Sequence, residues 1–146
     1  MTTSTIDRIL DAAEGEFAAH GFVETSLRTI TSKANVNLAA VNYHFGSKKG
    51  LIQAVTDRFL GPLSLNLQTQ LSAYEKRETK SLDDQHELQV LLGILTRSCQ
   101  QVAQKNQHSL AVFARLINTA YSQTQGHLRK HLTHHYGASF LYFMKL

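Results

Sequence analysis

Apolar residues recur at three- and four-residue spacings along nearly the whole chain, and no stretch alternates apolar with polar at every second position. This pattern predicts a succession of α-helices, each with one apolar stripe, and no strands. Over residues 4–20 the stripe is Ile6, Ile9, Leu10, Ala13 and Phe17, with Gly21 ending the helix and the acids Asp7, Asp11, Glu14 and Glu16 expected in solvent. Phe22 and Val23 are expected to seal the corner. Residues 26–34 read as a short second helix that turns Leu27 and Ile30 inward, with Thr25 as its cap. Asn35 suits a left-handed turn, because it tolerates positive φ better than any residue except Gly. Asn37 then caps a helix from Leu38 to Phe45, Gly46 closes it, and Ser47 caps the next.

From Lys48 to about Tyr74 the stripe is Leu51, Val55, Phe59, Leu63, Leu67 and Leu71. Gly61-Pro62 interrupts it, which predicts either a kink in one long helix or a break between two. Residues 75–87, EKRETKSLDDQHE, are polar and read as a linker. Three further helical stripes follow. Residues 88–104 carry Leu91, Leu92, Leu95, Cys99 and Val102; 109–124 carry Leu110, Phe113, Ile117 and Tyr121; 126–146 carry Leu132, Tyr136, Phe140 and Phe143. The fold class expected is all-α.

Two short helices joined by a three- or four-residue turn form a helix-turn-helix, whose second helix can enter a DNA major groove. Charge supports that reading. Between Thr25 and Thr56 stand Arg28, Lys33, Lys48 and Lys49 and no acid, so a phosphate backbone meets no repulsion there. A solvated helical hairpin remains the alternative on pattern alone. At about 100° per residue, Val41 and Phe45 share one arc of the second helix, and Ala39, Asn42 and Tyr43 share the opposite one. Ala39 and Ala40 are small enough to admit a close approach and touch thymine methyls, and Asn42 can bond adenine at N6 and N7. Thr25, Ser26, Arg28 and Lys48 are phosphate candidates, two through helix N-terminal N–H groups and two through charge. Asn37, at the start of the second helix, joins the set.

With 146 residues, 42% of them hydrophobic, the chain can build one or two small helical cores. No apolar run reaches about 18 residues and no signal-peptide pattern occurs, so a cytoplasmic protein without a membrane partner is expected. The net charge of +4 is uneven, for Glu87 is the last acid and everything after it is basic or neutral. Cys99 has no second cysteine to pair with and sits on an apolar stripe as a small hydrophobe. His127, His131, His134 and His135 have ligand-like spacing, yet no carboxylate or cysteine is near them in sequence, and a histidine-rich exposed face is the simpler account. No catalytic residue, metal or cofactor is expected, and no enzyme.

The order GF, TS, LRTI, a short turn, then AAVNYHFGSKKGL resembles the DNA-binding domain of the TetR family of bacterial repressors, over residues 4 to about 60. There are two departures: Asn35 stands at the usual turn glycine, and Asn42 stands where the family usually has Tyr. The resemblance assigns Tyr43 and His44 to the DNA backbone. It implies a three-helix DNA-binding domain at 1–47 and a helical ligand-binding and dimerisation region at 48–146, expected to be incomplete relative to the family. NLAAVNYHFGSKKGLIQAVTDRFLGP and LINTAYSQTQGHLRKHLTHHYG further resemble the PsrA-like subgroup, which controls fatty-acid degradation genes. That implies a repressor released from its double-stranded operator by a long-chain fatty acyl effector, and a homodimer if the last helices are present. In that frame Leu95, Cys99, Phe113, Ile117, Leu132 and Tyr136 are the candidate pocket walls. The alternative is a helical protein-interaction module that retains the DNA motif and docks through the apolar face of 109–146.

Overall fold

A computed structural model describes residues 4–76, 84–106, 110–120 and 126–143. Seven helices occur among the described residues: α1 Thr5–Glu24, α2 Leu27–Ala34, α3 Leu38–Phe45, α4 Lys48–Glu75, α5 Asp84–Asn106, α6 Leu110–Ala120 and α7 Gly126–Phe143. The fold is all-α, as the periodicity predicts. None of these helices is long and apolar enough to cross a membrane. Residues 77–83, within the expected linker, and the stripe residue Tyr121 lie outside the described residues; the expected linker's last residues, from Asp84, open α5.

The chain divides into two compact units. The first comprises Met1–Arg58 and Ala111–His131, and the second Phe59–Leu110 and Leu132–Leu146. The first unit is built on α1, whose Ser4 cap accepts the Asp7 N–H at 3.0 Å. Gly21 takes φ 77, ψ 173 inside the assigned helix, so the regular turn ends there and the last residues start a new one. Ile9, Leu10, Ala13 and Phe17 of α1 close on Ile30 and Ala34 of α2, Val41 of α3, and Leu51, Ile52 and Val55 of α4, all buried. Leu116 and Leu128 add α6 and the first turn of α7 to the same unit's core. Arg58 of α4 reaches back to α1, donating to Asp11 Oδ1 at 2.8 Å with Glu14 at 3.9 Å.

α4 is one helix, and Pro62 lies within it with its ring exposed. Pro62 forfeits one backbone hydrogen bond of the helix, and the helix runs on to Glu75. In the second unit Phe59, Leu60, Leu63, Leu67 and Leu71 pack with Leu91, Ile94, Val102 and Leu132. Polar contacts bind α4 to α5 as well: Gln70 Nε2 donates to the buried Ser98 Oγ at 3.0 Å, and Asn66 Nδ2 donates to Gln101 Oε1 at 3.1 Å, while Gln70 and Asn66 are joined within α4 at 2.6 Å.

Several side chains depart from the sequence expectation. Glu16 is buried, not in solvent, because it lies on the same arc of α1 as Ala13 and Phe17 and is ion-paired with Lys33. Ile6 is exposed, and so is Val23, at 64%; Phe22 closes the corner without it, its ring centroid 5.8 Å from that of Phe17.

Candidate nucleic-acid interface

Local caps and turns build the surface formed by α2, α3 and the start of α4. Ser26 caps α2, its Oγ accepting the Thr29 N–H at 3.0 Å. The cap is therefore Ser26, not Thr25. Thr25 is 3% exposed and ends α1 instead, its hydroxyl shared between the carbonyls of Gly21 at 2.7 Å and Glu16 at 3.1 Å. At the other end of α2, Asn35 adopts φ 51, ψ 54, and Val36 N–H returns to the Thr31 carbonyl at 3.0 Å. This left-handed residue satisfies the last carbonyls and turns the chain into α3.

Asn37 Oδ1 accepts the Ala40 N–H at 2.8 Å, opening α3. That leaves the Asn37 amide NH2 as the group able to meet a phosphate oxygen. Gly46, at φ 70, closes α3 by donating to the Asn42 carbonyl at 2.9 Å. Ser47 Oγ then accepts the Gly50 N–H at 3.1 Å to open α4. Gly50 permits the tight joint, because a Cβ there would collide with the Phe45 carbonyl oxygen.

These caps fix how α3 presents its two faces. Val41 is fully buried and Phe45 half-buried, while Ala39, Asn42, Tyr43 and His44 are exposed and Ala40 is half-exposed. Tyr43 is 85% exposed, with its ring edge-on to His44 at 5.0 Å. Ser26 and Arg28 are exposed on α2. Lys48 is half-buried: its ammonium lies 4.5 Å from the centre of the Phe22 ring and donates to the Val23 carbonyl at 3.2 Å. Burial pushes its pKa down, and Glu24 partly restores it. An ammonium has three donors, so the bond to Val23 leaves others for a phosphate. Lys33, one of the four cations counted in the acid-free stretch, has its charge answered by Glu16.

The candidate pocket walls fall in both units. Phe113 and Ile117 fall in the first unit and Leu95, Cys99, Leu132 and Tyr136 in the second. Leu132 is buried and the other five are half-buried. Burial pushes the Cys99 thiol pKa up, which keeps it protonated. Within the second unit, Pro62, Leu65, Asn66, Thr69, Gln70, Gln101 and Val102 line an open groove of about 620 Å³. A smaller one of about 220 Å³ lies over Gln70, Ala73, Tyr74, Val90, Ile94 and Arg97. None of the six candidates lines either. The four histidines of α7 do not form one exposed face. His127 packs on Phe22 at 5.3 Å, with its pKa pushed down by burial and by Lys49. His131 Nε2 lies 2.8 and 3.0 Å from the two carboxylate oxygens of Asp57, and His134 and His135 are exposed. Among the described residues no group of three or more His, Cys, Asp or Glu can hold a metal ion.

Residues 9–55, which span α1 to the first turns of α4, match the family model described as bacterial regulatory proteins, tetR family. Over 96 residues the chain is 33% identical to a probable HTH-type transcriptional regulator, YttP, of Bacillus subtilis; the match covers 66% of this chain and 44% of that protein. Over 62 residues it is 40% identical to an uncharacterized HTH-type transcriptional regulator, TtgW, of Pseudomonas putida, covering 42% of this chain and 46% of the other. Over 50 residues it is 48% identical to the HTH-type transcriptional regulatory protein RaaS of Mycobacterium tuberculosis, covering 34% of this chain and 23% of the other. The chain thus spans less than half the length of each of these relatives.

Proposed function

We propose that this chain is a transcriptional regulator of the tetR family, whose family model residues 9–55 match, and that it binds double-stranded operator DNA with α3 in the major groove. The observation that carries this reading is the division of α3 between a buried Val41 and an exposed Ala39, Asn42 and Tyr43. Ala39, Ala40 and Asn42 read base edges. Tyr43, His44, Asn37, Ser26, Arg28, Lys48 and the backbone at Thr25 hold the sugar-phosphate chain and set the register. Residues 1–47 serve as the DNA-binding domain, and 48–146 belong to the effector and dimerisation region.

The finer reading is a cytoplasmic repressor of fatty-acid metabolism genes that acts as a homodimer and leaves its operator when a long-chain acyl ligand binds. Its support is the similarity of residues 37–62 and 116–137 to the PsrA-like regulators. A ligand that prefers one arrangement of the effector region shifts the population away from the DNA-competent state by its difference in affinity for the two. Operator binding followed by fluorescence anisotropy, with and without oleate, tests both levels. Binding that oleate reverses supports the whole account; binding indifferent to acyl chains of every length removes the acyl effector and leaves the regulator.

A further inference from the structure

A carboxylate expected in solvent is instead buried in the first unit. Glu16 is 4% exposed, on the arc of α1 that carries Ala13 and Phe17. Its carboxylate is ion-paired with the Lys33 ammonium in the last turn of α2, and His20 Nε2 is 3.9 Å from its other oxygen. Its main-chain carbonyl accepts the Thr25 hydroxyl at 3.1 Å, and Thr25 immediately precedes the Ser26 cap. One residue of α1 thereby meets the last turn of α2 through its side chain and, through its carbonyl, the residue that precedes the α2 cap.

Stability is a poor reason for such a group. A carboxylate in a core is costly unless paired, and an apolar side chain of similar volume usually serves folding as well or better. What an ion pair adds is direction: apolar surfaces tolerate sliding and rotation, whereas a charge pair singles out one register. We propose that Glu16 is a positioning residue of the DNA interface, fixing through Lys33 the rotation and axial placement of α2 on α1 and hence the attitude at which α3 meets the duplex. The proposal rests on the DNA-binding reading above.

The test compares the parent chain with Glu16→Leu, Lys33→Met, the double variant and Lys33→Arg. The readouts are melting temperature, affinity for an operator selected from random DNA, and affinity for a scrambled duplex. Glu16→Leu is expected to melt no lower than the parent, yet its operator-to-scrambled affinity ratio falls roughly tenfold, the scale of one misplaced base contact. Lys33→Met gives the same fall, the double variant adds nothing further, and Lys33→Arg keeps the parent ratio. An unchanged ratio in Glu16→Leu overturns the proposal, as does a uniform loss on both duplexes that tracks a lower melting temperature. Amide hydrogen exchange supplies an arm without DNA: exchange at Ile30–Ala34 accelerates in Glu16→Leu while Ile9–Ala13 keeps its protection, and unchanged protection of α2 overturns the proposal. A parent chain that distinguishes no DNA sequence sinks the DNA-binding reading, while the exchange arm still decides what Glu16 does to α2.

Discussion

Lys48 does two jobs that one substitution can separate. In the free protein its ammonium donates to the Val23 carbonyl at 3.2 Å and lies 4.5 Å from the centre of the Phe22 ring. A hydrogen bond from a charged donor contributes about 1.5–3 kcal/mol, and a cation–π contact at an exposed site about 0.5–1 kcal/mol. Partial desolvation of the ammonium opposes both, as its lowered pKa records. The net loss in Lys48→Ala is therefore on the order of 1–2 kcal/mol. In a chain of this size that lowers the melting temperature by roughly 5 °C. On DNA, one lost phosphate contact makes the slope of log affinity against log salt shallower by about 0.9. The assay is anisotropy on a random-sequence duplex across a salt series, well below the melting transition, beside a denaturant titration. Arg28→Ala is the comparison, because Arg28 is exposed on α2: its slope changes equally with little change in stability. A destabilised Lys48→Ala protein with the parent's salt slope refutes the reasoning, since the Lys48 charge would then serve only Val23 and Phe22.

Gly50→Ala drives a Cβ into the Phe45 carbonyl oxygen; overpacking of this kind costs about 1–3 kcal/mol and shifts the α3–α4 joint. Calorimetry is expected to show a lower melting temperature, and binding assays a loss of sequence preference; parent-like values in both contradict the tight joint. His127 has a folded pKa below its ordinary value, from burial first and Lys49 second. The unfolded chain therefore takes up its proton first, so stability present above about pH 6.5 is lost as the pH falls below that value. His127→Gln is expected to flatten that part of a denaturation-midpoint profile against pH; an unaltered profile removes His127 as the cause.

The caps were legible because they depend on neighbours in sequence. Asn35, Asn37, Gly46 and Ser47 each act within four residues, and each takes the role its residue type predicts. Thr25 and Ser26 are the exception: both can cap, and only the path of the chain past Glu16 and Gly21 turns the Thr25 hydroxyl inward. Glu16 was not legible: its charge argued for solvent, and it is buried on the arc of α1 that carries Ala13 and Phe17. Its partner Lys33 lies 17 residues away, across a helix packing that periodicity does not encode. The Asp57–His131 contact spans 74 residues and left no sequence signal. The pocket candidates share the same difficulty, for an apolar stripe marks a helix face to be covered without saying whether protein or ligand covers it.

Whether the exposed face of α3 reads DNA sequence is decided by selecting bound duplexes from a random-sequence pool, in parallel on the parent chain and on Asn42→Ala. The parent is expected to enrich a defined sequence, and Asn42→Ala to relax it at one base pair at a cost of about 1–3 kcal/mol there. A parent chain that enriches nothing, or an enriched sequence that survives Asn42→Ala and Tyr43→Ala together at every position, contradicts that reading.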